Sequence, residues 1–209
     1  MILQLLFSEP LFFFIWVAAI IVGITIHEFA HAWSAYLLGD PTAKNMGRLS
    51  LNPLVHLDPF GFLFLLIAGI GYGKPVPVNP YNLKDQKKGE ILVSAAGPVS
   101  NLVQIVIFGL AFHFLVSLGP NNLLVSFLVA LIYINIILMV FNLVPIPPLD
   151  GSKILMNVLP SSADNFKLWL QRRGPLVLFG LIILDRVLGL GIFAGIFNFF
   201  INLIFSVFG

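Results

Sequence analysis

The chain has 209 residues, of which 59% are hydrophobic and only 10% are charged; its mean hydropathy is +1.02 and its net charge is +2. A typical soluble protein has about 25% charged residues, and a soluble fold of this length could not bury so much apolar surface. The composition therefore excludes a soluble enzyme, a nucleic-acid binder and a disordered linker, and it indicates a polytopic membrane protein. The absence of cysteine excludes a disulfide scaffold, an iron–sulfur site and a thiol nucleophile.

Long uncharged segments predict four membrane spans and leave a fifth open, because about 20 apolar residues cross the hydrocarbon layer as a helix. The predicted spans are 11–39, 91–118, 123–143 and 187–208. The first should end at Gly39-Asp40-Pro41, a common helix stop. The C-terminal apolar block begins at residue 175 and is interrupted by Asp185-Arg186, so whether 175–208 crosses once or twice stays open.

Residues 60–73 are apolar but would reach only about 21 Å as a helix, too short for a span. The stretch becomes rich in glycine and proline toward residue 80, which favours a re-entrant strand or loop element near 60–80. The basic residues agree, because a crossing at 60–73 would place Lys44 and Lys88 on opposite faces of the membrane.

These patterns together predict an all-α polytopic membrane protein with about four to five transmembrane helices. We expect a single membrane-embedded domain over 1–209, with its core in 11–155. Ten of the eleven Lys and Arg residues lie in two stretches, 44–88 and 153–173. The positive-inside rule places both stretches in the cytoplasm and the N-terminus outside, and we expect a multi-pass protein of the plasma membrane.

The sequence His27-Glu28-Phe29-Ala30-His31 is an HExxH motif toward the end of the first span. Residues i and i+4 share one face of a helix, so both imidazoles can reach one metal ion, and Glu28 then lies beside it to take a proton from water. A chance pattern or a helix-end cap is the alternative, but ionisable groups that continue an apolar span are by default functional. Imidazole ligands and an open position suit zinc.

Two histidines need a third protein ligand, and Asp150 is the best candidate. It follows a long uncharged run and a stretch with three prolines, 145, 147 and 148, where a helix cannot continue. Non-helical backbone at membrane depth requires surrounding protein or a water-filled cavity. From its position alone, Asp150 could equally be the N-cap of a following helix, and one carboxylate can do both.

Three motifs in this order resemble those of the site-2 protease family, the intramembrane zinc metalloproteases of peptidase family M50. They are HEFAH (27–31), AAGPVSN (95–101) and NLVPIPPLDG (142–151). The stretches 47–61 and 73–83 resemble the compact members, and the chain shows no room for the PDZ or CBS domain of other relatives. The similarity covers about residues 20–155.

The resemblance implies that His27, His31 and Asp150 bind one zinc ion and that Glu28 is the general base. It further implies that Asn142 holds the substrate backbone or the oxyanion, and that 60–80 corresponds to a small membrane-embedded sheet. The implied activity is endopeptidase cleavage within or near a transmembrane segment of a membrane-protein substrate, as in regulated intramembrane proteolysis. The implied partners are that substrate and the lipid bilayer; the oligomeric state stays open.

A divalent-metal transporter or channel is the alternative function, with His27, His31, Asp150 and His56 lining a permeation path. Transporters often contain inverted repeats, and no repeat is visible in this sequence. His56 is expected to hydrogen-bond its own loop, since a fourth metal ligand would close the catalytic position. Asn101, inside a predicted span, is expected to bond a neighbouring helix rather than a substrate.

Overall fold

The computed structural model describes residues 2–68, 71, 73–119 and 121–209. The helices of this part of the chain are α1 (Ile2–Ser8), α2 (Pro10–Leu37), α3 (Thr42–Asn45), α4 (Pro59–Ala68), α5 (Gln86–Leu115), α6 (Leu123–Asn142), α7 (Asp150–Val158), α8 (Asp164–Leu188) and α9 (Ile192–Phe208). No strand occurs among these residues, and the predicted all-α class is confirmed.

The helices α2, α5 and α6 are each long and apolar enough to cross a membrane, α5 together with a 3-10 turn that extends it to Leu118. They correspond to the first three predicted spans. The helix α2 ends at Leu37, immediately before the predicted stop at Gly39-Asp40-Pro41. Hydropathy and length therefore located these three elements correctly.

The C-terminal block forms α8 and α9, which meet at a bend of 90° and are long and apolar enough to cross a membrane only when taken together. They bring the number of candidate spans to four if the pair counts as one. Gly189 and Gly191, at the bend, have φ values of +62° and +65°, a region that glycine adopts without strain. The carboxylate of Asp185 accepts a hydrogen bond from the Ile192 N–H across the bend, so this charge inside the apolar block closes a turn.

The predicted strand or loop element near 60–80 contains a helix, α4, followed by irregular backbone over 73–79. The Asp58 carboxylate accepts a hydrogen bond from the Gly61 N–H and starts α4 as an N-cap. Prolines at 75 and 77 prevent helix in the second part. Three residues of the predicted element, Gly69, Ile70 and Tyr72, lie outside the described part of the chain.

Buried apolar side chains hold α2, α5 and α6 together, with small residues at the contact between α2 and α6. Ala19 of α2 is fully buried against Ala130 and Leu131 of α6, and Ile105 of α5 is fully buried against Ile132. Such small residues are typical of helix interfaces in membranes, where backbones approach one another.

The order of the contacts fixes the direction of each helix. His27 contacts Asn101, whereas His31, one turn later, contacts Val93, so α2 and α5 are antiparallel. The short connection 116–122 makes α5 and α6 antiparallel as well. The second half of α2, the first half of α5 and the end of α6 therefore lie at one level, which is where the three sequence motifs meet.

Candidate active site

The HExxH motif occupies the second half of α2, and its two histidines face α5. Both are nearly inaccessible, with exposed fractions of 4% for His27 and 7% for His31. Their ring centroids are 4.7 Å apart, as expected for residues one turn apart. Glu28, which follows His27 in the sequence, is half-buried and lines an adjacent cavity.

Gly97 of the AAGPVSN motif allows α5 to approach the two imidazoles. A Cβ atom at this position would lie 2.4 Å from His31 Nε2 and 2.6 Å from His27 Nε2. No real Cβ contact is that short, so any side chain here would displace the rings. Glycine is therefore needed at position 97 to leave space for the two imidazoles, not because the backbone conformation requires it.

Three ligand-type atoms converge at this point. His27 Nε2 and His31 Nε2 are 3.1 Å apart, and Asp150 Oδ2 is 3.3 Å from the first and 3.1 Å from the second. The ligand atoms of tetrahedral zinc, with bonds of about 2.0–2.1 Å, are about 3.3 Å apart. The spacing found here thus matches three corners of such a tetrahedron and leaves the fourth for water or substrate.

Hydrogen bonds from the opposite side of each ring fix the tautomers. His27 Nδ1 is 2.7 Å from Asn101 Oδ1, and His31 Nδ1 is 2.7 Å from the Val93 carbonyl. Both partners are acceptors, so each Nδ1 carries the proton and each Nε2 presents a lone pair. Two lone pairs and a carboxylate oxygen directed at one point suit a metal cation between them, and this donor set fits zinc.

The orientation of the Asn101 amide is itself determined by a chain of bonds. Asn101 Nδ2 donates to Asn135 Oδ1 at 2.8 Å, and Asn135 Nδ2 donates to the Leu131 carbonyl at 2.8 Å. Both asparagines are fully buried. Because a backbone carbonyl accepts at the end of the chain, the order of donors and acceptors back to His27 is unambiguous.

The third candidate ligand is presented by the proline-rich connection between α6 and α7. Asp150 is the first residue of α7, with an exposed fraction of 7%, and Leu149 occupies the N-cap position. The alternative role as an N-cap is therefore not found. Lys153, one turn later, places its ammonium 3.7 Å from the other carboxylate oxygen, Asp150 Oδ1.

A cavity of about 680 Å³ opens beside these residues. Glu28 and Asn142 line it together with the three candidate ligands. Asn142 Nδ2 donates to the Leu138 carbonyl at 2.9 Å, which leaves its second N–H and its Oδ1 for other partners. All five predicted site residues, His27, Glu28, His31, Asn142 and Asp150, thus border one space.

The remaining histidines lie outside this group. His56 is fully buried and its Nε2 is 2.7 Å from the Ser50 carbonyl, as expected for a residue that holds its own loop. His113 Nδ1 is 3.2 Å from the Phe208 carbonyl, at the other end of α5. Asn101 does bond a neighbouring helix, as expected, but it also orients His27, a role that its position in sequence did not reveal. Its place one turn after Gly97 was the available signal.

Arg48 is a buried charge near Glu28. Burial lowers the pKa of Arg48, and the nearby negative charge of Glu28 opposes that shift.

Asp40, shortly after the end of α2, is a second buried charge. Burial would raise its pKa, but hydrogen bonds from Thr42, Asn82 and the Asn79 backbone hold the pKa below its usual value.

Comparisons with known proteins agree with this geometry. Residues 117–181, which include α6, α7 and Asp150, match the model of peptidase family M50. The predicted zinc metalloprotease YwhC of Bacillus subtilis is 44% identical over 151 residues, which cover 69% of this chain and 68% of YwhC. No solved structure matches at a significant level.

Two further relatives are more distant. The predicted zinc metalloprotease MJ0611 of Methanocaldococcus jannaschii is 31% identical over 72% of this chain and 75% of its own length. The predicted zinc metalloprotease Rip2 of Mycolicibacterium smegmatis is 34% identical over 66% of this chain, but this covers only 55% of Rip2.

A helical membrane protein whose relatives are named as zinc metalloproteases, and which brings two histidines and an aspartate together, belongs to the class of membrane metalloproteases. This chain belongs to peptidase family M50, the site-2 protease family.

Proposed function

We propose that this protein is a zinc-dependent intramembrane endopeptidase that cleaves a membrane-protein substrate within or near a transmembrane segment. His27, His31 and Asp150 hold the ion, Glu28 is the general base, and Asn142 binds the substrate. The observation that carries the proposal is the tetrahedral spacing of three ligand atoms beside a cavity that Glu28 also lines. The relatives named as zinc metalloproteases support the choice of metal.

When bound, zinc supplies Lewis acidity at the open position, where it lowers the pKa of water and polarises a carbonyl oxygen. Glu28 accepts the proton of the attacking water as the new carbon–oxygen bond forms. The same carboxyl group returns that proton to the amide nitrogen when the carbon–nitrogen bond breaks. The free N–H of Asn142 donates to the carbonyl oxygen as negative charge develops on it.

The position of the motif along α2 supports cleavage inside the bilayer. The helix has 28 residues, about 42 Å, which exceeds the hydrocarbon thickness of about 30 Å by about 12 Å. His27 lies ten residues before the end of α2, or about 15 Å along the axis. Even if the whole excess were at that end, His27 would remain within the hydrocarbon layer. The basic residues near this end support a site toward the cytoplasm and an N-terminus outside.

A substrate helix has its carbonyl groups in internal hydrogen bonds, so it must unwind before it can be attacked. The apolar side of the cavity can receive such a segment, since Trp16, Ile20 and Ile24 of α2 line it together with Ile134 and Leu138 of α6. Irregular backbone over 73–79 borders the same space and can pair with an unwound strand.

A divalent-metal transporter is not favoured. Among the described residues there is one group of three or more candidate ligands, whereas a permeation path needs successive sites from which the ion can leave. A carboxylate that is not needed as a ligand, Glu28, also lines the cavity.

The substitution Glu28→Gln tests the proposal. It keeps the size of the side chain but removes the base, so zinc content should stay at that of the wild type while cleavage of a transmembrane peptide falls by at least about 100-fold. Glu90→Gln is the matched control, since Glu90 bonds Asn157 away from the site and should leave cleavage intact. Turnover near the wild-type rate in Glu28→Gln would remove Glu28 from the mechanism.

A further inference from the structure

Residues 73–79 run along the wall of the cavity between two buried polar contacts. Gly73 lies against the general base, since a Cβ atom there would be 3.7 Å from Glu28 Oε1. Val76 and Val78 line the cavity further along. The position of this segment therefore determines which backbone groups an unwound substrate can contact beside Glu28.

Arg48 holds the beginning of the segment. Its guanidinium donates through Nη1 to the Pro75 carbonyl at 3.0 Å and through Nη2 to the Lys74 carbonyl. The Lys74 N–H donates in turn to the His56 carbonyl at 2.8 Å. Arg48 has an exposed fraction of 6%, and no carboxylate among the described residues forms an ion pair with it. Both terminal nitrogens of this buried guanidinium donate to successive carbonyl groups. We infer that its role is to fix the position of the backbone, because the planar fork of arginine can reach both carbonyls at once.

Asp40 holds the end of the segment. One carboxylate oxygen accepts the Asn79 N–H at 2.7 Å, and the other accepts the Asn82 side-chain amide at 2.8 Å. Asp40 is fully buried, so water has little access to its carboxylate. The carboxylate lies directly after α2 and therefore ties the segment to the helix that carries the HExxH motif.

Between these two contacts the backbone is unpaired. Pro75 and Pro77 have no N–H, the Lys74 and Asn79 N–H groups are already bonded, and only Val76 and Val78 retain donors. In the described part of the chain neither N–H makes a hydrogen bond. Their alternation with proline gives the segment donors at every second residue, the spacing at which one edge of an extended strand presents them.

We propose that Arg48 and Asp40 are positioning residues that hold 74–79 extended from both ends, so that the backbone of Val76 and Val78 is ready to pair with the unwound substrate. This inference rests on the proposed function, because it names the group that aligns the substrate beside Glu28. Neither residue touches the substrate. Both act through the segment, and their loss should weaken substrate binding more than turnover.

The test compares Arg48→Ala and Arg48→Lys with the wild type, using a synthetic transmembrane peptide of about 25 residues as the substrate. Both variants should keep the zinc content of the wild type and raise KM by about 10-fold, the size expected when one or two backbone hydrogen bonds to the substrate are lost. The value of kcat should change much less. Lysine keeps the charge but not the fork, so it should not rescue KM. Asp40→Asn, which acts from the other end, should give the same pattern.

Lys44→Ala is the control, since Lys44 supplies a charge to the same region but contacts Tyr36 at the surface; its KM should equal that of the wild type. Hydrogen exchange of the Lys74 and Asn79 amides, whose N–H groups are bonded, gives a reading that does not depend on activity. It should accelerate in the Arg48 variants while 27–37 stays protected. A wild-type KM or unchanged exchange in Arg48→Lys would overturn the inference. This holds even if Arg48→Ala does not fold, because Arg48→Lys is then tested alone. A wild-type protein that cleaves no peptide would instead refute the proposed function, and the exchange result would still decide whether Arg48 holds the segment.

Discussion

At the scale of single residues, the site depends on which nitrogen of each histidine carries a proton. The Leu131 carbonyl orients Asn135, Asn135 orients Asn101, and Asn101 leaves His27 with a lone pair on Nε2. A leucine at position 101 would remove the acceptor without removing a candidate ligand. Zinc affinity should then fall by about 10- to 100-fold, the usual effect of losing a hydrogen bond that orients a metal-bound histidine.

The measurement for Asn101→Leu is competition for zinc with a chelator of known affinity. Asn157→Leu is the control, because Asn157 bonds Glu90 and neither residue lines the cavity. Wild-type affinity in Asn101→Leu would show that the imidazole is held by packing alone.

At the scale of elements, the first half of α5 is as important to the site as the helix that carries the ligands. Gly97→Ala would place a methyl group 2.4 Å from His31 Nε2 and so force the rings or the helix to move. We expect this variant to lose most of its zinc, although alanine favours a helix by about 1 kcal/mol over glycine. Zinc content of the purified variant checks this.

Gly180→Ala is the matched control for that prediction. Gly180 lies inside α8, and a Cβ atom there would meet nothing within 4 Å. It should therefore retain the zinc of the wild type. Full zinc retention in Gly97→Ala would contradict the close approach of α5 to the imidazoles.

Hydropathy and proline content explain which elements could be predicted from the sequence. The helices α2, α5 and α6 follow from length and apolar composition, and HExxH places two ligands by helical periodicity alone. The helix α4 could not be predicted in this way because it is too short to cross a membrane. The extension of α8 back to Asp164 could not be predicted because that part of the helix is charged. Asn135 could not be connected to His27, since that contact depends on how two helices are rotated against each other.

At the scale of the whole molecule, alternating helix directions bring the three motifs to one level. The second half of α2, the first half of α5 and the end of α6 each supply part of the site, and α8 supports it from outside. A Cβ atom at Gly174 of α8 would lie 2.6 Å from Pro147, in the connection that presents Asp150. The helix α8 thus contacts the loop that carries the third candidate ligand, a contact that no sequence motif predicted.

The most direct test of the account is the zinc content of the detergent-purified protein beside Asp150→Ala and Asp164→Ala. Asp164 pairs with Lys167 at the start of α8, away from the site, and serves as the matched carboxylate control. We predict about one zinc per chain in the wild type and in Asp164→Ala, and far less in Asp150→Ala, because two histidines alone leave the ion short of a protein ligand. Absence of zinc from the wild type, several ions per chain, or full retention in Asp150→Ala would contradict a site made of two histidines and one carboxylate.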